Sequence, residues 1–126
     1  MVKRAKDDFP AAETLQPQLR VSFKKSIAMG PGKAELLAAI EASGSISAAA
    51  RQLGMSYRRA WLLVDTMNAC FCHPVVETLT GGAHGGGARV TDFGREVMRR
   101  YHAMSRKAAA SVAEEMNEFA QLLDRG

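Results

Sequence analysis

The side chains of this sequence that can do chemistry fall in three places. The first is Ser56-Tyr57-Arg58-Arg59, at the head of a stretch where Ala60, Leu63, Val64 and Met67 recur at helical spacing. Adjacent guanidinium groups at a helix start suit bidentate bonds to phosphate oxygens or guanine edges, and Tyr57 can stack or donate to a phosphate. Arginine pairs are also common on solvated helix faces that bind nothing. Ser47 and Arg51, one short helix earlier, are polar and belong to the same expected surface. The second place is Gly81–Gly87, with five glycines in seven residues, followed by Arg89. Glycines let backbone N–H groups face phosphate oxygens closely. Gly82, His84, Gly85, Gly86 and Arg89 are therefore expected contacts, His84 being the polar head at the tip. No Lys-Ser or Lys-Thr follows Gly87 and the next element reads as a strand, so this is not a nucleotide-binding P-loop.

The third place is Cys70-x-Cys72-His73. It is a candidate metal or redox site, but it lacks a fourth ligand, and a thiol at a helix end is an ordinary core residue. Two cysteines make no disulfide framework, which points to a reduced, cytoplasmic chain. His73, His84 and His102 lie in different elements and no catalytic motif brackets them, so neither an enzyme nor a cofactor is expected.

The elements that position these residues follow from pattern. Residues 1–18 are polar, contain Pro10 and Pro17, and read as a flexible arm. Leu19–Ser26 alternates and predicts one strand. Lys33–Ala42 predicts a helix ending near Gly44. A short helix over Ser47–Leu53 follows, with Ser45 or Ser47 as cap, and Gly54 stops it. Ser56 caps a third helix to about Ala69. Ala50 where two helix axes approach, Gly54 in the turn, and apolar Ala49, Leu53, Met55, Ala60, Leu63 and Val64 make the helix-turn-helix pattern. An αα-hairpin uses the same small residues for the same reason. Val75–Thr80 and Ala88–Val90 predict a hairpin around the glycine loop, completing a winged helix over residues 19–90.

Thr91 is a good N-cap, and from there only Gly94 interrupts a helical pattern to the end. Residues 91–126 therefore predict one amphipathic helix of about 30 residues, roughly 45–50 Å long. Its stripe of Val97, Tyr101, Met104, Ala108, Val112, Met116, Phe119 and Leu123 outruns the small body, so a homodimer is expected to cover it. Arg106 and Lys107 would then lie near Glu114, Glu115 and Glu118 of a second copy. The fold class is mainly α with a small β wing: a winged helix-turn-helix plus a long C-terminal dimerisation helix.

With 126 residues, 47% apolar and 24% charged, one core is expected and intrinsic disorder is excluded. No uncharged run approaches the ~20 residues of a membrane span, so no membrane partner is expected. Net charge is +4, but Arg20–Lys107 holds 13 bases against 6 acids, while residues 108–124 hold four acids and no base. A basic body suits a polyanion such as double-stranded DNA.

Gly44-Ser45-Ile46-Ser47, Met55-Ser56-Tyr57-Arg58-Arg59-Ala60-Trp61, Met67-Asn68, Thr80-Gly81-Gly82 with Gly85-Gly86-Gly87-Ala88, and Thr91 with Gly94-Arg95 resemble one family. It is the DNA-binding domain of ModE-type, molybdate-responsive transcription regulators. The resemblance covers about residues 19–105, and the helix-turn-helix alone also resembles LysR-type winged helices. It implies a homodimer that reads a palindromic operator at molybdenum-transport or molybdoenzyme genes, with Ser56, Tyr57 and Arg58 at recognition positions. Family members often carry Lys at the wing tip, where this sequence has Ala83-His84. Molybdate-sensing members continue into small β-barrel domains. This sequence stops at Gly126, so the resemblance implies DNA binding but not direct molybdate sensing; the expected alternatives are an effector on a separate protein or a changed regulation. The alternatives are a protein-interaction adaptor and a redox- or metal-responsive regulator using Cys70, Cys72 and His73.

Overall fold

The computed structural model describes residues 15–80 and 87–124. It divides into two compact units: Arg20–His102, and residues 15–19 with 103–124. The chain is mostly helical with two small antiparallel strand pairs, an arrangement compatible with a winged helix.

In the first unit, β1 (Val21–Phe23) pairs with β2 (Ser26–Met29) across Lys24 and Lys25, which hold φ of 50° and 69°. Two positive φ values are what a two-residue hairpin turn requires. The single strand expected over Leu19–Ser26 is thus corrected to a hairpin. The alternating pattern did not reveal it because two lysines occupy the turn in place of Asn-Gly.

Helix α1 (Pro31–Ser43) starts with proline, whose missing N–H is one the first turn would leave unpaired. It stops at Gly44 (φ 74°), whose N–H reaches the Ile40 carbonyl at 2.8 Å. Helix α2 (Ile46–Leu53) is capped by the Ser45 hydroxyl, which accepts from Ala48 N–H at 3.1 Å, and ends at Gly54 (φ 69°). Both glycines adopt the left-handed conformation that costs other residues about 1 kcal/mol or more. Helix α3 (Tyr57–Cys70) is capped by Ser56, whose hydroxyl accepts from Arg59 N–H at 3.0 Å. The three helices bury most of their predicted faces: Leu36, Leu37 and Ile40 from α1, Ala49 and Ala50 from α2, and Ala60, Val64 and Met67 from α3, whereas Leu53 and Leu63 are only half-buried. Met29, Val75 and Val90 complete this core; each such side chain contributes about 1.5–3 kcal/mol on burial.

Strands β3 (Val76–Leu79) and β4 (Gly87–Val90) pair with Val76 opposite Val90 and Glu77 opposite Arg89. Two glycines mark close approaches. A Cβ on Gly87 would stand 2.9 Å from the Gly44 carbonyl oxygen, which accepts from Ala88 N–H at 2.9 Å. A Cβ on Gly94 would stand 2.4 Å from the Val75 carbonyl oxygen. Thr91 caps α4 (Asp92–Ser111): its hydroxyl accepts from Gly94 N–H at 2.9 Å and donates to the Pro74 carbonyl at 2.7 Å.

The single helix expected over residues 91–126 is corrected as well. Helix α4 ends at Ser111, Val112 holds φ −117° and ψ 17°, and α5 (Ala113–Ala120) begins anew. The Ser111 hydroxyl donates to the Ala108 carbonyl at 2.8 Å, competing with the backbone for that acceptor, and the β-branched Val112 takes the break. Glu114 and Glu115 then favour the restart, being acids in the first turn of α5. Tyr101, expected at a dimer interface, is already buried in one chain, whereas Met104, Phe119, Leu122 and Leu123 are exposed. In the second unit, Leu15 and Pro17 with Ala109, Ala113 and Met116 line an open apolar groove of about 480 Å³. No helix among the described residues is long and apolar enough to cross a membrane.

Candidate nucleic-acid interface

Helix α3 turns about 100° per residue, so its buried side (Ala60, Val64, Met67) fixes what the rest presents. Opposite lie Arg58, Leu62 and Asp65, all exposed, with Leu62 61% accessible. Tyr57 and Trp61 flank this crest on the side of the β3–β4 hairpin, and Arg59 and Thr66 flank it on the other. Tyr57 is 55% accessible and meets Trp61 edge-on, ring centroids 6.2 Å apart. With Ser45, Ser47, Thr78 and Leu79 these two rings line a shallow cleft of about 220 Å³ between α2, α3 and the hairpin. The structure thus brings Ser47, Tyr57 and the hairpin together.

Asn68 sets how α3 sits on that hairpin. Its amide oxygen accepts from Val75 N–H at 2.8 Å and from Val76 N–H at 3.3 Å, and its amide nitrogen donates to the Val76 carbonyl at 3.1 Å. The sequence marks the residue as part of the family resemblance and as a polar position on a helix, without a role. Its role needs the strand that arrives seven residues later.

Of the other expected residues, Arg51 is exposed at the end of α2. The Ser56 hydroxyl is engaged in capping α3. Arg89 is exposed but pairs across the hairpin with Glu77 at 3.1 Å, a neutralising partner the expectation did not include. Gly82, His84, Gly85 and Gly86 lie outside the described residues. Cys70, Cys72 and His73 do not converge: His73 packs edge-on against Phe93 at 5.2 Å, and no metal-holding group of His, Cys, Asp or Glu exists among the described residues.

Three arginines in the first half of α4 also have carboxylate partners. Arg95 bridges Glu41 at 2.9 Å and Asp92 at 2.5 Å, and Glu41 raises its pKa. Arg99 and Arg100 both pair with Glu96. Arg58 and Arg59 have no such carboxylate among the described residues.

An arginine-bearing helix standing between a capped helix and a β-hairpin is the kind of surface a nucleic-acid-binding domain presents. No protein-family profile matches the chain. It is 38% identical over 94 residues to the molybdenum transport protein ModE of Azotobacter vinelandii, covering 72% of this chain and 35% of that protein. It is 43% identical over 96 residues to the molybdenum-pterin-binding protein MopB of Rhodobacter capsulatus, covering 76% and 34%. The DNA-binding transcriptional dual regulator ModE of Escherichia coli K12 is 37% identical over 83 residues, covering 66% and 32%. The chain is homologous to ModE and Mop proteins over this segment, and it spans about a third of their length.

Proposed function

We propose that this chain is the winged helix-turn-helix DNA-binding part of a ModE-type transcription regulator. In this reading α3 enters the major groove, with Arg58 on its crest reading a base edge or a phosphate, and the β3–β4 hairpin is the wing. The observation that carries it is the contrast among arginines: Arg89 of β4 and Arg95, Arg99 and Arg100 in the first half of α4 are paired with carboxylates, while Arg58 and Arg59 on α3 are not. The relatives' names support molybdenum-linked gene regulation as its setting. A homodimer belongs to the same reading. The exposed Met104, Phe119, Leu122 and Leu123 supply its apolar surface, and a two-fold dimer reads a palindrome with half-sites about one helical turn apart.

The test is selection of the full chain on a random duplex library at two salt concentrations, with and without molybdate. A palindromic consensus is expected. Arg58→Ala weakens its binding by about 1–3 kcal/mol. Failure to enrich any duplex at either salt overturns the reading in favour of a protein-binding adaptor.

A further inference from the structure

On the flank of α3 away from the β3–β4 hairpin lies a second cleft, of about 430 Å³, lined by Arg20, Lys25, Gly32, Lys33, Arg59 and Thr66 among others. Its four cations come from separate pieces of chain: the start of the β1–β2 hairpin, the tip of its turn, the first turn of α1, and α3. No acidic residue lines it. Arg20, Lys25 and Arg59 have no carboxylate partner among the described residues, although four other arginines of the same unit do.

The geometry is built rather than incidental. Arg20 lies across Gly30: a Cβ there would stand 3.3 Å from Arg20 Cγ and 3.8 Å from its Nε. The guanidinium arm thus passes the start of α1, a helix whose N-cap has no side-chain bond and whose first turn has no acid. Lys33, only 7% accessible, donates to the Ile27 carbonyl from the cleft wall, and burial lowers its pKa. The hairpin tip is unusual too. Lys24 and Lys25 both hold positive φ, where Asn and Gly fold at least cost, and strain kept at a surface turn points to use of the side chains.

We propose that this cleft holds a phosphodiester of the DNA strand flanking the groove that α3 enters, so that the β1–β2 hairpin is a second backbone clamp opposite the β3–β4 hairpin. The proposal rests on the DNA-binding reading above. A helix in the major groove, ~12 Å wide, has a phosphate backbone on each side, and each flank of α3 meets one. It also separates two adjacent residues: Arg58 faces the groove floor, whereas Arg59 turns into the cleft and serves position rather than sequence.

The test compares the full chain with Arg20→Ala/Lys25→Ala on the selected duplex and on an unrelated one, across a salt series. The variant is expected to bind both more weakly by the same factor, roughly tenfold per lost contact near 0.1 M salt. Its log–log salt slope is expected to be shallower by about 0.9 per phosphate released. Replacing single flanking phosphates with methylphosphonates should weaken the parent at one position and leave the variant indifferent there. A second variant, Lys24→Asn/Lys25→Gly, should raise the urea midpoint while weakening DNA binding, which separates contact from folding. If the parent binds DNA and the slopes of parent and variants coincide, the clamp is overturned and the DNA reading stands. If the parent binds no duplex, both fall. Inorganic phosphate titrated at constant ionic strength, read at the Gly32 and Lys33 amides, covers the free-oxyanion source. Saturation there with unchanged DNA slopes overturns the clamp in favour of a small-anion site.

Discussion

Removing the half-buried Asn68 side chain should loosen α3 from the β3–β4 hairpin without changing the exposed crest of α3. Asn68→Ala deletes bonds of 2.8, 3.3 and 3.1 Å to Val75 N–H, Val76 N–H and the Val76 carbonyl. Val75 is fully buried, so its N–H gains no water in exchange. An unsatisfied buried donor costs about 1–3 kcal/mol, and the remaining bonds add about 1 kcal/mol, so a loss of about 2–4 kcal/mol is expected. Asn68→Asp keeps the acceptor for both N–H groups but sets a second acceptor oxygen against the Val76 carbonyl, so it should also destabilise. Urea denaturation followed by far-UV circular dichroism measures both, with equal m-values expected. A midpoint for Asn68→Ala that gives less than about 0.5 kcal/mol of change would refute the reasoning, because surface substitutions lie in that range.

Three further outcomes follow from the geometry. Gly94→Ala puts a methyl carbon 2.4 Å from the Val75 carbonyl oxygen, so despite alanine's better helix propensity it should destabilise by about 2–3 kcal/mol in the same assay; a gain would show that α4 can shift. Ser45→Ala and Ser56→Ala each remove a capping bond, at 3.1 and 3.0 Å, and should each cost about 1 kcal/mol, additively. Lys33 has a folded-state pKa lowered by desolvation, with Cys70 opposing the shift, so its charge penalises the fold at neutral pH. That penalty should fade as pH rises toward 10.5, the unfolded state there holding more protons. In a Cys70→Ser background, the stability difference between the parent and Lys33→Met should therefore narrow over that range; a pH-independent difference would sink the assignment.

What could be read from the sequence is what local chemistry decides. Ser45, Ser56, Gly44 and Gly54 act within four residues of themselves, and each caps or stops the expected helix. The β1–β2 hairpin was hidden because its turn residues are lysines, which carry no turn preference; the surrounding fold imposes their φ. The break at Val112 was hidden because alanine, serine and valine all sit acceptably in a helix, and the decision rests on one hydroxyl that prefers the Ala108 carbonyl. The candidate site divides along the same line. Arg58 and Arg59 stand out as a pair, but their different directions depend on which side of α3 is buried. Likewise the Glu77–Arg89 pair needs the register of β3 against β4, and the Lys33 cleft needs elements more than thirty residues apart.

The break between α4 and α5 at Val112 bears on how two copies would align in the proposed dimer. A straight rod with a heptad stripe can slide against its twin by whole repeats and still bury similar surface, which leaves the spacing of whatever the rods carry loosely set. A seam interrupted at one fixed point matches its own symmetry mate at one offset best. In the proposed dimer Val112 would be an index mark, trading the length of a continuous seam for a single permitted alignment.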